Sequence, residues 1–192
     1  LSLLTDINLN TTNEKKRSLL AAALIKRNRA IILVLLQRGA DPNGRTEPES
    51  IPLLHFAIQS GAVGSGGIEI VELLLQNGAD IHAVDNAGNS VLHEAANAGP
   101  MQIYSSYMTR YLIGAGADVN ARNHNGETPL HRAVQTISKE TVKILCQKGT
   151  LIDSKDKAGK TATQIAINFW AGDKEYARLA SEYSTMLSEF SS

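Results

Sequence analysis

Gly116-Ala117-Asp118-Val119-Asn120-Ala121-Arg122-Asn123-His124-Asn125-Gly126-Glu127-Thr128-Pro129-Leu130-His131-Arg132-Ala133 is the stretch whose reading decides the fold. Its opening Gly-Ala-Asp recurs at Gly39-Ala40-Asp41 and Gly78-Ala79-Asp80, with a degenerate copy at Gly149-Thr150-Leu151-Ile152-Asp153, so the four glycines stand 39, 38 and 33 residues apart. An apolar block of helical length precedes each glycine: Ile31 to Leu36, Ile70 to Leu75, Met108 to Ile113 and Val142 to Cys146. Each block predicts a helix that its glycine ends with a left-handed cap. The closing Thr128-Pro129-Leu130-His131-Arg132-Ala133 recurs as Leu53-Leu54-His55-Phe56-Ala57 and Val91-Leu92-His93-Glu94-Ala95, with the histidines 38 and 38 apart. A third landmark, the turn Asn123-His124-Asn125-Gly126, matches Asp85-Asn86-Ala87-Gly88 and Asp156-Lys157-Ala158-Gly159. A fixed period of this size marks a repeat protein.

These three landmarks, in register, resemble the ankyrin repeat, whose unit of about 33 residues carries Thr-Pro-Leu-His-x-Ala at the start of the first of two helices. The resemblance implies an all-α solenoid of antiparallel helix pairs with projecting hairpin-like turns. Five units cover residues 14–192 as a single domain, roughly 14–45, 46–84, 85–122, 123–155 and 156–192. The first and last depart from the pattern, with Ser18-Leu19-Leu20-Ala21-Ala22-Ala23 and Thr161-Ala162-Thr163-Gln164-Ile165-Ala166 in the motif position. Degenerate ends suit a solenoid, whose terminal units lack one neighbour. A final helix over about Asp173 to Phe190 carries an apolar stripe through Tyr176, Leu179, Tyr183, Met186 and Leu187 and is expected to act as a cap. Residues 1–13 are expected to hold the tail of a further repeat, because Asp6-Ile7-Asn8 parallels Asp118-Val119-Asn120. The opening Leu1 in place of Met agrees with a piece of a longer protein. The long spacings predict insertions between the two helices of two units: a glycine-rich, mobile loop over Gly61 to Gly67, and a lengthened second helix that starts near Pro100.

Composition excludes several classes. Apolar residues make up 43 % of the 192 and charged ones 20 %, which suits a packed chain and not a disordered one. Cys146 is the single cysteine, so a disulfide-stapled secreted scaffold is excluded and an intracellular site is expected, in the cytoplasm or nucleus, or the host cytoplasm for a secreted effector. The sequon Asn10-Thr11-Thr12 matters only for a secreted chain. The longest uncharged apolar runs, Leu19 to Ile25 and Ala30 to Leu36, fall far short of the roughly 20 residues that span a bilayer, so no membrane role is expected. Nineteen basic and nineteen acidic side chains give zero net charge, yet segments 1–44, 45–84, 85–121, 122–155 and 156–192 carry +4, −4, −2, +3 and −1. The basic first segment, with Lys15, Lys16, Arg17, Lys26, Arg27, Arg29 and Arg38, could face an acidic partner or phosphates. No aromatic residue precedes Phe56, which leaves no stacking platform for single-stranded nucleic acid there. A solvated face of an end repeat is the plainer reading.

Residues that imitate chemistry have structural readings. Histidines one repeat apart cannot share a metal ion. The resemblance implies that His93 and His131, with Ser90 and Thr128 three residues earlier, knit turn to helix, so Ser90, His93 and Asp85 read as a scaffold network and not as a triad. Gly61 to Gly67 lacks the Gly-Lys-Ser/Thr ending of a phosphate loop. Cys146 lies in an apolar block and is expected to be buried and inert. No cofactor, metal or small-molecule substrate is implied.

The resemblance implies a non-catalytic module, monomeric, that binds a partner protein through a concave surface of turn tips and first helices, as part of a larger adaptor or effector. The alternative is a regulatory or targeting module of an enzyme or channel whose catalytic part lies elsewhere. Carried over repeat by repeat, the contact positions are Arg45, Glu47, Glu49 and Gln59; Val84, Asn86, Asn89 and Asn97; Arg122, His124, Asn125, Glu127 and Gln135; and Lys155, Lys157 and Lys160 with Asn168. Asn43 and Asn120 resemble asparagines that an oxygenase hydroxylates in some intracellular ankyrin proteins. Phe169 and Trp170 are expected to pack against the last helix, and Tyr104 and Tyr107 are further aromatic candidates for a contact.

Overall fold

Helix ends explain most of the local architecture. In the computed structural model, which describes residues 18–61, 66–97, 102–170, 182 and 185–190, the blocks before the glycines are helices and the glycines take left-handed φ values of 85°, 91°, 99° and 85° at Gly39, Gly78, Gly116 and Gly149. Around Gly39 the amide of Ala40 reaches back to the Leu35 carbonyl at 3.0 Å and that of Gly39 to Leu36 at 3.0 Å, the paired bonds of a Schellman ending. Ala79 to Leu74 and Ala117 to Leu112 repeat the longer bond at 2.9 and 3.0 Å. The alanine after each glycine is buried, at Ala40, Ala79 and Ala117. The Gly-Ala-Asp string is therefore one device used repeatedly: the glycine turns the chain and the alanine plugs the end of the helix.

The chain divides into two compact units, residues 1–86 and 87–192. In the first, α1 (Leu19–Ile25) and α2 (Arg29–Gln37) form one hairpin and α3 (Leu53–Gly61) and α4 (Gly67–Gln76) the next. Ser18 caps α1 by accepting from the Ala21 amide at 3.1 Å, and Asn28 caps α2 by accepting from Ile31 at 3.1 Å. Helix α1 packs on α3 and α2 on α4. Leu20, Leu24, Ile32, Leu54, Ile58, Val71 and Leu74 fill the interior, each burial stabilising by about 1.5–3 kcal/mol.

The second unit holds α5 (Val91–Ala96), α6 (Gln102–Gly114), α7 (Pro129–Gln135), α8 (Lys139–Gln147) and α9 (Ala162–Trp170), with α5 on α7, α7 on α9 and α6 on α8. Its core joins Leu130, Val134, Val142, Leu145, Ile152, Ala162 and Leu187. Helix α6 runs for 13 residues against nine in α8, so the segment read as a lengthened second helix is one. Of its buried hydroxyls, Ser105 donates to the Ala95 carbonyl at 2.7 Å and lies 3.0 Å from the Thr141 hydroxyl, whereas the Thr109 hydroxyl makes no hydrogen bond. Of the expected last helix, residues 182 and 185–189 are helical, Leu187 is buried and residue 190 lies in a turn. The rest of it, most of the Gly61 to Gly67 insertion, and the side chains of Asn168, Phe169 and Trp170 lie outside the described residues.

Two connectors place a side-chain-bearing residue in the left-handed region. Arg27 and Ile137, each between the two helices of a pair, adopt φ values of 53° and 60°. A side chain in that region costs about 1–2 kcal/mol. Ile137 offsets part of this by packing against the core of its unit.

Candidate partner-binding surface

The turns are built from the same few bonds in both units. In the first, Asn43 donates from Nδ2 to the Gly78 carbonyl at 3.0 Å and accepts at Oδ1 from the Asp80 amide at 2.8 Å. In the second, Asn120 donates to the Gly149 carbonyl at 3.2 Å and accepts from Leu151 at 2.8 Å. Each asparagine thus clamps the end of its own repeat to the helix end of the next. The arginine two residues on does the same one step further out. Arg45 donates to the Val84 carbonyl at 2.9 Å and to Asn86 Oδ1 at 3.3 Å, and Arg122 donates to the Lys155 carbonyl. Around Asn43, Arg45 and Val84 lies a groove of about 510 Å³, completed by Pro42, Asp80 and His82, none of which was among the contact positions expected from the sequence.

In the second unit the turn tips are joined by main-chain bonds, His124 amide to Ala87 carbonyl at 2.9 Å and Lys157 amide to Asn125 carbonyl at 2.8 Å. This row is tight enough to exclude a methyl group at Gly88, where φ is 75° and an added Cβ would fall 2.6 Å from His124 Cδ2 and 2.9 Å from the His124 backbone nitrogen. Beneath the tips, His93 accepts at Nδ1 from the Ser90 amide at 3.1 Å, so its Nε2 carries the proton and donates to the Glu127 carbonyl at 2.8 Å. His131 repeats this with the Thr128 amide at 3.1 Å and the Lys160 carbonyl at 3.2 Å. The Ser90 and Thr128 hydroxyls also lie 2.8 Å from these Nδ1 atoms, so each ring is bonded on both sides within the turn. Each histidine completes a reciprocal capping box.

Glu127 occupies an unexpected place. The carboxylate is only 9 % exposed, and it accepts from Asn123 Nδ2 at 2.9 Å and Gln135 Nε2 at 3.1 Å, with an Arg132 guanidinium nitrogen 3.4 Å away. Asn123 is the hub: its Oδ1 accepts from the amides of Asn125 and Glu127 at 2.9 and 3.0 Å, and its Nδ2 also donates to Asn89 Oδ1 at 2.9 Å. Asn89, Glu127 and Gln135, read from sequence as contact positions, are therefore members of one network, Glu127 buried and Asn89 and Gln135 half-buried. The sequence reading passed over Asn123 and Arg132, although an amide four residues before a carboxylate, just ahead of a helix start, was a signal for them. Exposed, by contrast, are Arg45, Glu49, Gln59, Val84, Asn86 and Asn97, then Arg122, His124, Asn125, Lys155, Lys157 and Lys160. Glu47 and Tyr104 are half-buried, and Tyr107 is exposed.

Burial raises the Glu127 carboxyl, but the bonds from Asn123 and Gln135 and the Arg132 charge outweigh it and hold the group below its ordinary 4.5. Burial pulls His131 below its ordinary 6.5, against the Lys160 carbonyl and the Asp156 and Glu127 charges. Both shifts have one sign for stability. As pH falls through about 6.5 the unfolded chain takes up a proton at this histidine that the folded chain resists, and near 4.5 the same holds for the glutamate. The melting temperature is therefore expected to fall in two stages on acidification, and His131→Gln to flatten the first stage. Thermal melts followed by circular dichroism at several pH values check this; a melting temperature that rises between pH 7 and 5 contradicts it.

Cys146 is buried, and desolvation pushes its thiol up to about 11, so it is inert at neutral pH. Among the described residues no cluster of three or more His, Cys, Asp or Glu is arranged to hold a metal ion, and no helix is long and apolar enough to cross a membrane.

The capped helix pairs, the histidine-knit turns and the stacked tips define a repeat protein of one class. The family model described as "Ankyrin repeats (3 copies)" matches residues 54–156 and 101–185, and the chain belongs to the ankyrin-repeat family. That family is a general protein–protein interaction module and is generally non-catalytic. The chain is similar to the E3 ubiquitin-protein ligase KEG of Arabidopsis thaliana, 34 % identical over 85 residues. The aligned stretch is 44 % of this chain and spans 5 % of the ligase.

Proposed function

We propose that the chain is a non-catalytic interaction module that grips a partner protein through its turn tips and first helices, the concave side of an ankyrin stack. The observation that carries this reading is the division of labour in the second unit. Asn89, Asn123, Glu127, Arg132 and Gln135 hold the turn from within, while His124, Asn125, Lys155, Lys157 and Lys160 stand exposed on the held backbone. A rigid row of exposed side chains costs little ordering entropy when it binds, so their chemistry can be varied to suit one partner. The four cations Arg122, Lys155, Lys157 and Lys160, beside His124, favour a partner surface rich in carboxylates.

A variant with His124→Ala, Asn125→Ala, Lys157→Glu and Lys160→Glu should retain its helical circular dichroism and lose at least tenfold in recovery of a protein that the parent chain captures. Lys143→Glu with Lys148→Glu, on α8 and the residue after it, should capture as the parent does. Equal capture by all three chains would overturn the assignment.

A second reading places this module in a larger enzyme as its targeting part. Its support is the similarity to a small fraction of a ubiquitin ligase. The sequence of the full reading frame decides it.

We also read Asn43 and Asn120 as candidate hydroxylation positions; intact mass after co-expression with an asparaginyl hydroxylase tests this, and an unchanged mass rejects it.

A further inference from the structure

The turn side of the first unit differs in chemistry from that of the second. Arg45, Val84, Arg122 and Lys155 occupy one position in successive repeats, so an aliphatic side chain, 45 % exposed, stands where the next two repeats carry cations. Residues 41–50 and 80–86 hold Asp41, Glu47, Glu49, Asp80 and Asp85 against the single cation Arg45. The Arg45 guanidinium is already engaged: it donates to the Ser50 and Val84 carbonyls and to Asn86 Oδ1, which binds the two turns together. Asn86 in turn donates to the Glu49 carbonyl at 3.3 Å, so Glu49 sits beside this joint. Asp80 lines the groove of about 510 Å³ between the turns, and it is exposed, as is Glu49. Its Oδ1 accepts from the His82 amide at 2.9 Å, which fixes how the carboxylate stands.

The groove offers apolar contact as well, because Pro42, Pro52 and Ala83 line it together with Val84. Its walls belong to two repeats already stacked, joined by the bonds of Asn43 to the Gly78 carbonyl and the Asp80 amide. In a solenoid each repeat touches only its neighbours, so a further repeat before residue 18 would add its turn on the far side of residues 39–45 and leave this groove between the existing two. Charge then selects the occupant. Nucleic acid and an anionic membrane surface carry phosphates that these carboxylates repel. A second copy docked through the same turns would bring carboxylates together, which charge also opposes. A protein segment with cations beside an aliphatic side chain meets both features. Such a segment, lying extended, delivers one side chain into the groove and the flanking ones to its rims.

We infer that the groove between the 42–45 and 80–84 turns takes an extended basic segment of the partner protein, with an aliphatic side chain against Pro42, Pro52 and Val84 and lysine or arginine side chains on Glu49 and Asp80. This rests on the reading that the turn side meets the partner, and it adds that the partner is basic where it meets the first unit.

The test uses the whole chain and two fluorescent peptides of about ten residues, each with alternate leucines and a central proline that prevents a helix. One carries lysine at the remaining positions and the other serine. Anisotropy should show the lysine peptide binding more tightly than the serine peptide by about tenfold or more, with the difference shrinking as salt rises. Glu49→Gln with Asp80→Asn keeps the oxygen that the His82 amide uses, and this variant should bind the lysine peptide no better than the parent binds the serine peptide. Val84→Ser, at an exposed position, should weaken both peptides by about threefold or more. Both variants should retain the parent's circular dichroism. No binding of the lysine peptide, equal binding of the two peptides, or unchanged binding of the lysine peptide by the Glu49/Asp80 variant overturns the proposal. So does sedimentation of the parent as a dimer that Val84→Ser dissociates, which would make the occupant a second copy. None of these results bears on capture through His124, Asn125, Lys157 and Lys160, so failure here is distinct from failure of the turn-side reading.

Discussion

Gly88→Ala is expected to destabilise the second unit by about 3 kcal/mol, a large effect for one methyl group. The left-handed backbone contributes about 1–2 kcal/mol and the forced contact with His124 a further 1–3 kcal/mol. The contact cannot relax cheaply, because one of the atoms in the way is the His124 backbone nitrogen, already bonded to the Ala87 carbonyl at 2.9 Å. Moving it breaks the bond that stacks one turn tip on the next. Gly149→Ala is the control within the same unit. Its φ of 85° is no more favourable, but nothing lies within 4 Å of the added Cβ, so only the backbone cost of about 1–2 kcal/mol is expected. Urea denaturation of the two variants separates the contributions. Equal losses would mean that the tips are not closely stacked.

Asn123→Ala is expected to cost about 3–4 kcal/mol. The change removes two donors and a doubly used acceptor in a largely buried site, and it leaves the Glu127 carboxylate short of a partner where hydration can replace it only in part. Glu127→Ala in the Asn123→Ala background should cost less than Glu127→Ala in the parent, because the carboxylate has by then lost part of its support. A double-mutant cycle should return a coupling of at least about 1 kcal/mol, and a coupling near zero would separate the two residues. The same cycle explains why a loss of binding in Glu127→Ala cannot be taken as a lost contact: the variant weakens the turn that displays His124 and Asn125.

The sequence was most legible where one residue type has one physical use. Glycine after an apolar block, followed by alanine, could hardly be anything but a capped helix end, and Thr128 with His131 three residues on could be matched to a reciprocal cap. The excess of residues before Tyr107 could be assigned to a longer helix because Pro100 starts helices more readily than it continues them. Less legible were positions whose use depends on a neighbour in space. Glu127 looks like any charged turn residue until Gln135 and Arg132 close over it. Arg27 and Ile137 give no sign of a positive φ, since neither residue favours it; the short path between two helices imposes it.

Lysine acetylation footprinting of the chain, alone and bound to a protein that it captures, tests the central reading most directly. Lys155, Lys157 and Lys160 lie on the turn side, Lys143 and Lys148 on α8 and the residue after it, and all five are exposed in the free chain. The turn-side assignment predicts that bound partner slows acetylation of the first three and leaves the other two unchanged. Protection of Lys143 and Lys148 with Lys155, Lys157 and Lys160 still reactive would contradict it.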